Sequence, residues 1–110
     1  MIFKPLEVSK TGLSNEVIEK IKNKIKNFSE IETVVIYGSR AKGNFRNGSD
    51  IDLCLLGENI PSDLVLRLDN SLDELMLPYS LDISIYNKIE NPNFKSHIDR
   101  VGMVFYKKSS

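Results

Sequence analysis

Apolar residues between positions 17 and 28 recur every three or four residues, and lysines fill most of the gaps. This spacing predicts an amphipathic helix that buries one stripe and leaves its lysines in solvent. Ser14 precedes the stripe, and a serine at that place commonly accepts a hydrogen bond from one of the first helical amides. The helix is therefore expected to begin just after Ser14. The buried stripe consists of Val17, Ile18, Ile21, Ile25 and Phe28.

Three shorter runs have the β-branched or alternating composition of strands, namely Thr33–Tyr37, Asp50–Leu56 and Leu81–Tyr86. A second helix is predicted between the last two of these strands. Pro61 opens it and Pro78 ends it, because proline fits the first turn of a helix but not its interior. The order of elements is thus helix, strand, strand, helix, strand.

The two ends of the chain carry weaker patterns. Asn91 with Pro92 begins a third predicted helix that Gly102 ends, and Met103–Tyr106 is either a last strand or a continuation of that helix. Residues 1–13 include a proline and a glycine and are expected to form a loosely packed N-terminal arm. The chain therefore predicts one α+β domain over residues 1–110. Its small mixed β-sheet has helices packed on one face and a polar site on the other face or at the edge.

Composition limits the function more than the fold. The 110 residues suffice for one hydrophobic core, and 41% of them are hydrophobic and 27% charged, as in globular proteins. Lys and Arg together number 15, as do Asp and Glu, so no overall basic field draws the protein to a nucleic-acid template. Cys54 is the only cysteine, which excludes an internal disulfide and a Cys-x-x-Cys metal site. A reducing cytoplasm is the expected location.

No apolar run approaches the roughly 18 residues of a membrane span. The start of the chain, Met-Ile-Phe-Lys-Pro-Leu-Glu, also lacks the basic and then apolar order of a signal peptide. We therefore expect no association with a membrane.

Two aspartates, Asp50 and Asp52, stand two residues apart at the start of the second predicted strand. Because side chains alternate along a strand, both carboxylates point to the same face. Like charges on one face repel each other, and aspartate is depleted in strands. The two residues are either exposed surface carboxylates or ligands of a divalent cation such as Mg²⁺, which prefers oxygen donors. The pattern favours the metal.

A small-residue turn, Gly38 and Ser39, follows the first predicted strand. Glycine lacks the Cβ that would keep backbone amides away from a phosphate, and serine adds a hydroxyl and an amide. A simple strand-ending turn is the alternative. Arg40 follows directly and could neutralise phosphate charge, as could Lys42 and Arg46, although a solvated surface charge explains each of the three equally well.

Asp82 is a third acidic candidate, in the middle of the third predicted strand between two apolar residues. Adjacent strands lie about 4.8 Å apart, so a neighbouring strand can bring this carboxylate to Asp50 and Asp52. Considered alone, Asp82 is more simply an exposed aspartate. His97, the only histidine, is expected to be a partly exposed structural residue.

The order Gly38-Ser39, ten residues, then Asp50-Ile51-Asp52 resembles the signature of the polymerase-β-type nucleotidyltransferase superfamily. The short chain is similar in particular to the minimal nucleotidyltransferases (MNT), often encoded beside HEPN-domain proteins. The resemblance extends from about residue 33 to about residue 104. It implies that Asp50, Asp52 and Asp82 are the catalytic residues. They would hold two Mg²⁺ ions, for which Mn²⁺ can substitute, while Gly38, Ser39 and Arg40 would bind the nucleotide.

The resemblance further implies transfer of a nucleoside monophosphate, AMP from ATP, to a hydroxyl. In the branch that accompanies HEPN proteins, the acceptor is a tyrosine of a HEPN-domain toxin, and the nucleotidyltransferase is the antitoxin of a type VII-like pair. The protein would then form a complex with its toxin and could also be an oligomer. Two alternatives remain open, a small hydroxylated acceptor such as an aminoglycoside and a catalytically silent module that only masks the toxin.

Overall fold

The computed structural model describes residues 3–109 of the chain. In that part it contains five strands, five helices and one 3₁₀ turn. These elements are β1 (Lys4–Pro5), α1 (Val8–Thr11), α2 (Asn15–Ile25), β2 (Thr33–Tyr37), α3 (Ser39–Lys42), β3 (Ile51–Leu56), α4 (Leu64–Asp73), β4 (Leu81–Ile85), the 3₁₀ turn (Tyr86–Lys88), α5 (Pro92–Val101) and β5 (Met103–Lys107).

The strands form one mixed sheet in the order β1-β5-β2-β3-β4. The central strand β2 is antiparallel to both of its neighbours, whereas β3 pairs with β4, and β1 with β5, in parallel. The predicted α+β class with a mixed sheet is confirmed. The segment Met103–Lys107 is a strand, which settles the choice left open by its sequence.

Helices α2 and α4 cover one face of the sheet. Ile21 and Ile25 of α2 and Leu68 and Leu72 of α4 are buried in the core on that face. The Ser14 side chain accepts a hydrogen bond from the amide of Val17 at 3.1 Å, as expected for the residue that caps α2. The prediction for this helix is confirmed.

Helix α5 covers the opposite face, so the expectation that all helices pack on one face is wrong. Its Ile98 and Phe94 lie in a second apolar cluster with Val35, Tyr37 and Cys54. The physical reason lies in β2, whose side chains are apolar on both faces. A strand that is buried on both faces needs cover on both, as in sheets with helices on each side.

The N-terminal segment is packed, contrary to the loosely packed arm that we expect from its sequence. Over residues 3–13, β1 pairs with β5, and Thr11 and Leu13 are buried. The Thr11 hydroxyl donates to the carbonyl of Val8 at 2.7 Å and accepts from the amide of Leu13 at 3.1 Å. Pro5 and Gly12 end short elements here instead of loosening the chain. Residues 1 and 2 of the predicted arm lie outside the described part.

Within residues 3–109, no helix has both the length and the apolar character that are needed to cross a bilayer.

Candidate active site

Three side chains form a row across neighbouring strands at one end of the sheet. Asp52 in β3 is the register partner of Asp82 in β4 on one side and of Tyr37 in β2 on the other. Side chains in register on adjacent strands point to the same face. Asp50, immediately before β3, and Asp82, on the edge strand, are both exposed, whereas Asp52 is partly buried. The structure thus brings the three predicted carboxylates to the same end of the sheet.

The electrostatics of this row are unfavourable for the ionised form of Asp52. Its pKa is raised from 3.8 to about 6, first by burial and then by the negative charges of Asp82 and Asp50. The guanidinium of Arg40 acts in the opposite direction and more weakly. A partly buried carboxylate beside two others is stabilised by a bound cation, and no side chain of the row itself carries a positive charge.

Gly38 fits tightly against Asp52. Its backbone has φ 76° and ψ −155°, a combination that residues with a Cβ rarely adopt. A Cβ at this position would lie 2.2 Å from Asp52 Oδ2. The carbonyl of Gly38 accepts hydrogen bonds from the amides of Ala41 and Lys42, both at 3.1 Å, and so begins α3. The glycine is therefore required both for the turn and for the close approach of the turn to the carboxylate.

The donor set suits a hard divalent cation. Asp52 and Asp82 are paired in register, Asp50 is the next residue on the same face of the chain, and all three offer carboxylate oxygens. Among residues 3–109, however, no group of three or more His, Cys, Asp or Glu side chains is close enough, as placed, to hold an ion. Rotation of the exposed Asp50 and Asp82 side chains would be needed to complete a site.

Arg40 does not contribute to a phosphate site in the way that its sequence position suggests. Its side chain is only 2% exposed. Nη1 donates to the carbonyl of Thr11 at 2.7 Å, and Nη2 and Nε donate to the carbonyl of Ser49 at 2.9 and 3.2 Å. The guanidinium also stacks over the rings of Phe45 and Tyr79. The predicted nucleotide contact of Arg40 is therefore replaced by a structural role, in which it joins the N-terminal segment to the loop before β3.

Replacing Arg40 with lysine should destabilise the protein by about 2–3 kcal/mol, because an ammonium cannot reproduce a guanidinium fork buried among carbonyls and aromatic rings. Urea denaturation of Arg40→Lys and of Arg46→Lys, at an exposed arginine in the same loop, measures the difference. Equal stability of the two variants would contradict the structural role.

Lys42 is the better candidate for a phosphate contact. It is exposed at the end of α3. Burial of the imidazole lowers the pKa of His97 on α5, and the charges of Lys42 and Arg100 lower it further. The prediction that His97 is a partly exposed structural residue agrees with its edge-on contact with the Tyr37 ring at a centroid distance of 6.2 Å.

Tyr37, at one end of the row, and the nearby Ser84 complete the surroundings of the carboxylates. Burial raises the pKa of Tyr37 to about 12, as do the charges of Asp82 and Asp52, so the phenol stays protonated. The Ser84 hydroxyl is buried close to Tyr37 and Cys54 and lowers the pKa of each, although it forms no hydrogen bond of standard geometry in the described part. From its sequence position Tyr37 is expected to contribute to packing near the turn, and Ser84 has no predicted chemical role. The sequence does contain an indication of both positions. Ser84 shares a strand face with Asp82, and Tyr37 directly precedes Gly38.

The raised pKa of Asp52 has a consequence for stability. Its pKa is about 6 in the folded protein and 3.8 when unperturbed, so the native state binds the proton more tightly. Without divalent ions, wild type should therefore gain stability relative to Asp52→Asn as the pH falls from about 7 to about 4. Urea titrations of both proteins in EDTA across this range test the prediction. A difference that is independent of pH would contradict it.

The fold and the site together define a nucleotidyltransferase of the polymerase β type. Residues 19–110 match the family described as Polymerase beta, Nucleotidyltransferase, and the chain belongs to this family. The predicted family and enzyme class are confirmed.

Two proteins of Methanocaldococcus jannaschii, both provisionally named protein adenylyltransferases, are similar in sequence. One is 31% identical over 85 residues, which cover 76% of this chain and 86% of the relative. The other is 28% identical over 98 residues, which cover 83% of this chain and 92% of the relative.

Solved structures share the fold at lower identity. A chain of a toxin–antitoxin complex with AMP-PNP superposes with a TM-score of 0.66 and 16% identity, over 88% of this chain and 76% of that one. A chain of the MntA–HepT toxin–antitoxin complex superposes with a TM-score of 0.64 and 13% identity, over 86% of this chain and 74% of that one. A chain from the complex of a tri-AMPylated Shewanella oneidensis HEPN toxin with MNT antitoxin superposes with a TM-score of 0.57 and 14% identity, over 83% of this chain and 73% of that one.

Proposed function

We propose that this nucleotidyltransferase moves AMP from ATP to a tyrosine hydroxyl of a HEPN-domain toxin and thereby acts as its antitoxin. The observation that carries the proposal is the register pair of Asp52 and Asp82 beside the Gly38 turn. Relatives named protein adenylyltransferases support transfer to a protein. The complex with AMP-PNP supports an adenine nucleotide, and the AMPylated toxin supports the acceptor.

The three carboxylates and the Gly38 turn would have distinct tasks. Asp50, Asp52 and Asp82 would hold the two Mg²⁺ ions, which supply charge neutralisation for the triphosphate and the departing pyrophosphate. Gly38 and Ser39 would bind the phosphates through backbone amides and the serine hydroxyl. The exposed Lys42 would add positive charge on the same side of the turn.

The reaction needs little chemistry from the protein beyond positioning. The acceptor oxygen forms a bond to the α-phosphorus, and the bond between that phosphorus and the bridging oxygen to the β-phosphorus breaks. The electron pair leaves with pyrophosphate. The hydroxyl proton passes to the carboxylate of Asp82, which is exposed on the edge strand where an acceptor from another protein can reach it.

The exposure of Asp82, which would receive the proton of the acceptor hydroxyl, favours a macromolecular acceptor over a small one. Asp82 lies on β4, which has β3 as its sole strand neighbour among the described residues. The cytoplasm is the compartment that we propose, since ATP and a toxin target are both available there and the buried thiol of Cys54 is free.

Incubation of the protein with α-labelled ATP, Mg²⁺ and a co-expressed HEPN protein should label a tyrosine of that protein. Omission of the metal should abolish the label. Label on an aminoglycoside, with none on the HEPN protein, would support the small-molecule alternative. Protection of cells from the toxin by a variant with both Asp50→Asn and Asp52→Asn would support masking without catalysis.

A further inference from the structure

The strand β5 has an incompletely paired outer edge. On that side β1 pairs only with its first part, Lys4 opposite Met103 and Pro5 opposite Val104. The chain then turns away into α1, and proline at the end of β1 cannot donate a further ladder hydrogen bond. Alongside residues 105–107, the described part of the chain provides no strand.

The backbone of Lys107 faces this vacant position. The amide of Lys108 donates to the carbonyl of Glu32 at 2.8 Å, toward the β2 side of the sheet. Backbone groups of successive residues in a strand point to opposite sides, so the N–H and C=O of Lys107 point outward. Unpaired groups of this kind are a template for an added strand.

A groove of about 720 Å³ lies along this edge, between β5 and α2. Lys22 of α2 and Lys26, which follows the end of α2, line one side, and Lys107 and Lys108 line the other side at the end of β5. Glu19 is the one acidic side chain in the lining, and it is paired with Lys22 at 3.7 Å. The groove therefore has a clear excess of positive charge.

The groove is remote from the candidate active site. Three strand spacings of about 4.8 Å separate β5 from β4, on which Asp82 lies. The two sites are also at opposite ends of the sheet, because Lys107 is opposite Thr33 at the start of β2, whereas Gly38 follows its end. An occupant of the groove would leave the carboxylates accessible.

We propose that this edge binds an extended acidic segment of a partner protein as an added strand beside residues 105–107. Main-chain hydrogen bonds to Lys107 would fix its register, and acidic side chains would pair with the surrounding lysines. Val104 and Leu6 provide apolar surface in the same groove. The inference does not depend on the proposed AMP transfer.

A polypeptide explains these features better than a nucleic acid does. Nucleic-acid sites combine basic residues with aromatic stacking platforms or a broad basic surface. Here the chain is neutral overall, and the basic side chains flank an open backbone edge. A nucleic acid has no backbone that could continue a β ladder.

The test uses a fluorescein-labelled peptide of alternating glutamate and valine and measures its fluorescence anisotropy. Lys107→Gln removes only the charge, whereas Lys107→Pro also removes the outward N–H, which an edge strand tolerates. We expect Lys107→Pro to bind at least about fivefold more weakly than Lys107→Gln. Lys26→Glu, in the groove, should weaken binding about tenfold, and Lys20→Glu, on α2 outside the groove, less than about twofold.

Hydrogen exchange of the wild-type Lys107 amide provides a second readout that does not depend on the folding of a variant. The peptide should slow this exchange. The proposal is overturned if the peptide does not bind, if Lys107→Pro and Lys107→Gln bind equally, or if the Lys107 amide stays unprotected. Tighter binding of oligo(dT) of the same length, with the same dependence on Lys26, would assign the groove to nucleic acid instead.

Discussion

Replacing Asp52 with asparagine is expected to reduce nucleotide transfer by at least about a thousandfold, because a neutral amide is a poor ligand for Mg²⁺. Asp52 is the central member of the row, with register partners on both sides. Neither Asp50 nor Asp82 can take its place, since both lie farther out in solvent. Single-turnover transfer of label from α-labelled ATP measures the loss.

The same substitution should stabilise the metal-free protein. At a pH of about 7.5, the native state contains an ionised Asp52 that burial and two neighbouring carboxylates disfavour. Removal of its charge should raise the free energy of unfolding by about 1–2 kcal/mol, after allowance for solvent screening. Loss of activity together with a gain in stability distinguishes a functional residue from a structural one.

Asp63→Asn provides the matched control. Asp63 directly precedes α4, which runs back from the end of β3 to the start of β4. Asp63 therefore lies at the end of the domain opposite to the carboxylate row. This variant should keep full activity and lose only its exposed pair with Arg67. Transfer by Asp52→Asn at more than about a tenth of the wild-type rate would refute the role of Asp52 in metal binding.

Gly38→Ala should reduce transfer by about a hundredfold or more and destabilise the protein by about 2 kcal/mol. The loss of stability comes from the backbone, which has a φ of 76° and a ψ of −155°. The loss of activity comes from the new methyl group, which would lie 2.2 Å from Asp52 Oδ2 and displace that carboxylate. Kinetic assays and urea denaturation measure the two effects separately.

Gly48→Ala separates backbone strain from the steric clash. Gly48 also has a positive φ, of 83°, but a Cβ there would meet no atom within 4 Å. This variant should lose about 1 kcal/mol of stability and retain its activity. Equal activity of the two alanine variants would mean that the Gly38 turn does not position Asp52.

The role of Arg40 could not be predicted from its place in the sequence. Next to Gly38 and Ser39 it resembles a phosphate ligand, and a sequence does not reveal which arginine will be buried. Its partners are the carbonyls of Thr11 and Ser49, 29 and nine residues away. Contacts of this kind depend on how distant segments pack, so they appear only in the folded chain.

The packing of the segment before α2 could not be predicted from the sequence, for a related reason. Two residues of β1 form no recognisable strand pattern, and their structure comes from pairing with β5, almost a hundred residues later. Likewise, the cover that α5 provides for the second face of the sheet depends on a contact between distant elements. Local propensity is a weak guide where tertiary contacts decide.

The sequence by itself determined the order of the main elements, the α+β class, the family and the two carboxylates that share a face. These properties follow from local periodicity and from a spacing within one stretch of chain, which the covalent backbone fixes. Only the tertiary structure decided that Asp82 and Tyr37 flank Asp52, that Arg40 is buried, and that β5 has an open basic edge. Each of these depends on strand order and register, and no local pattern encodes them.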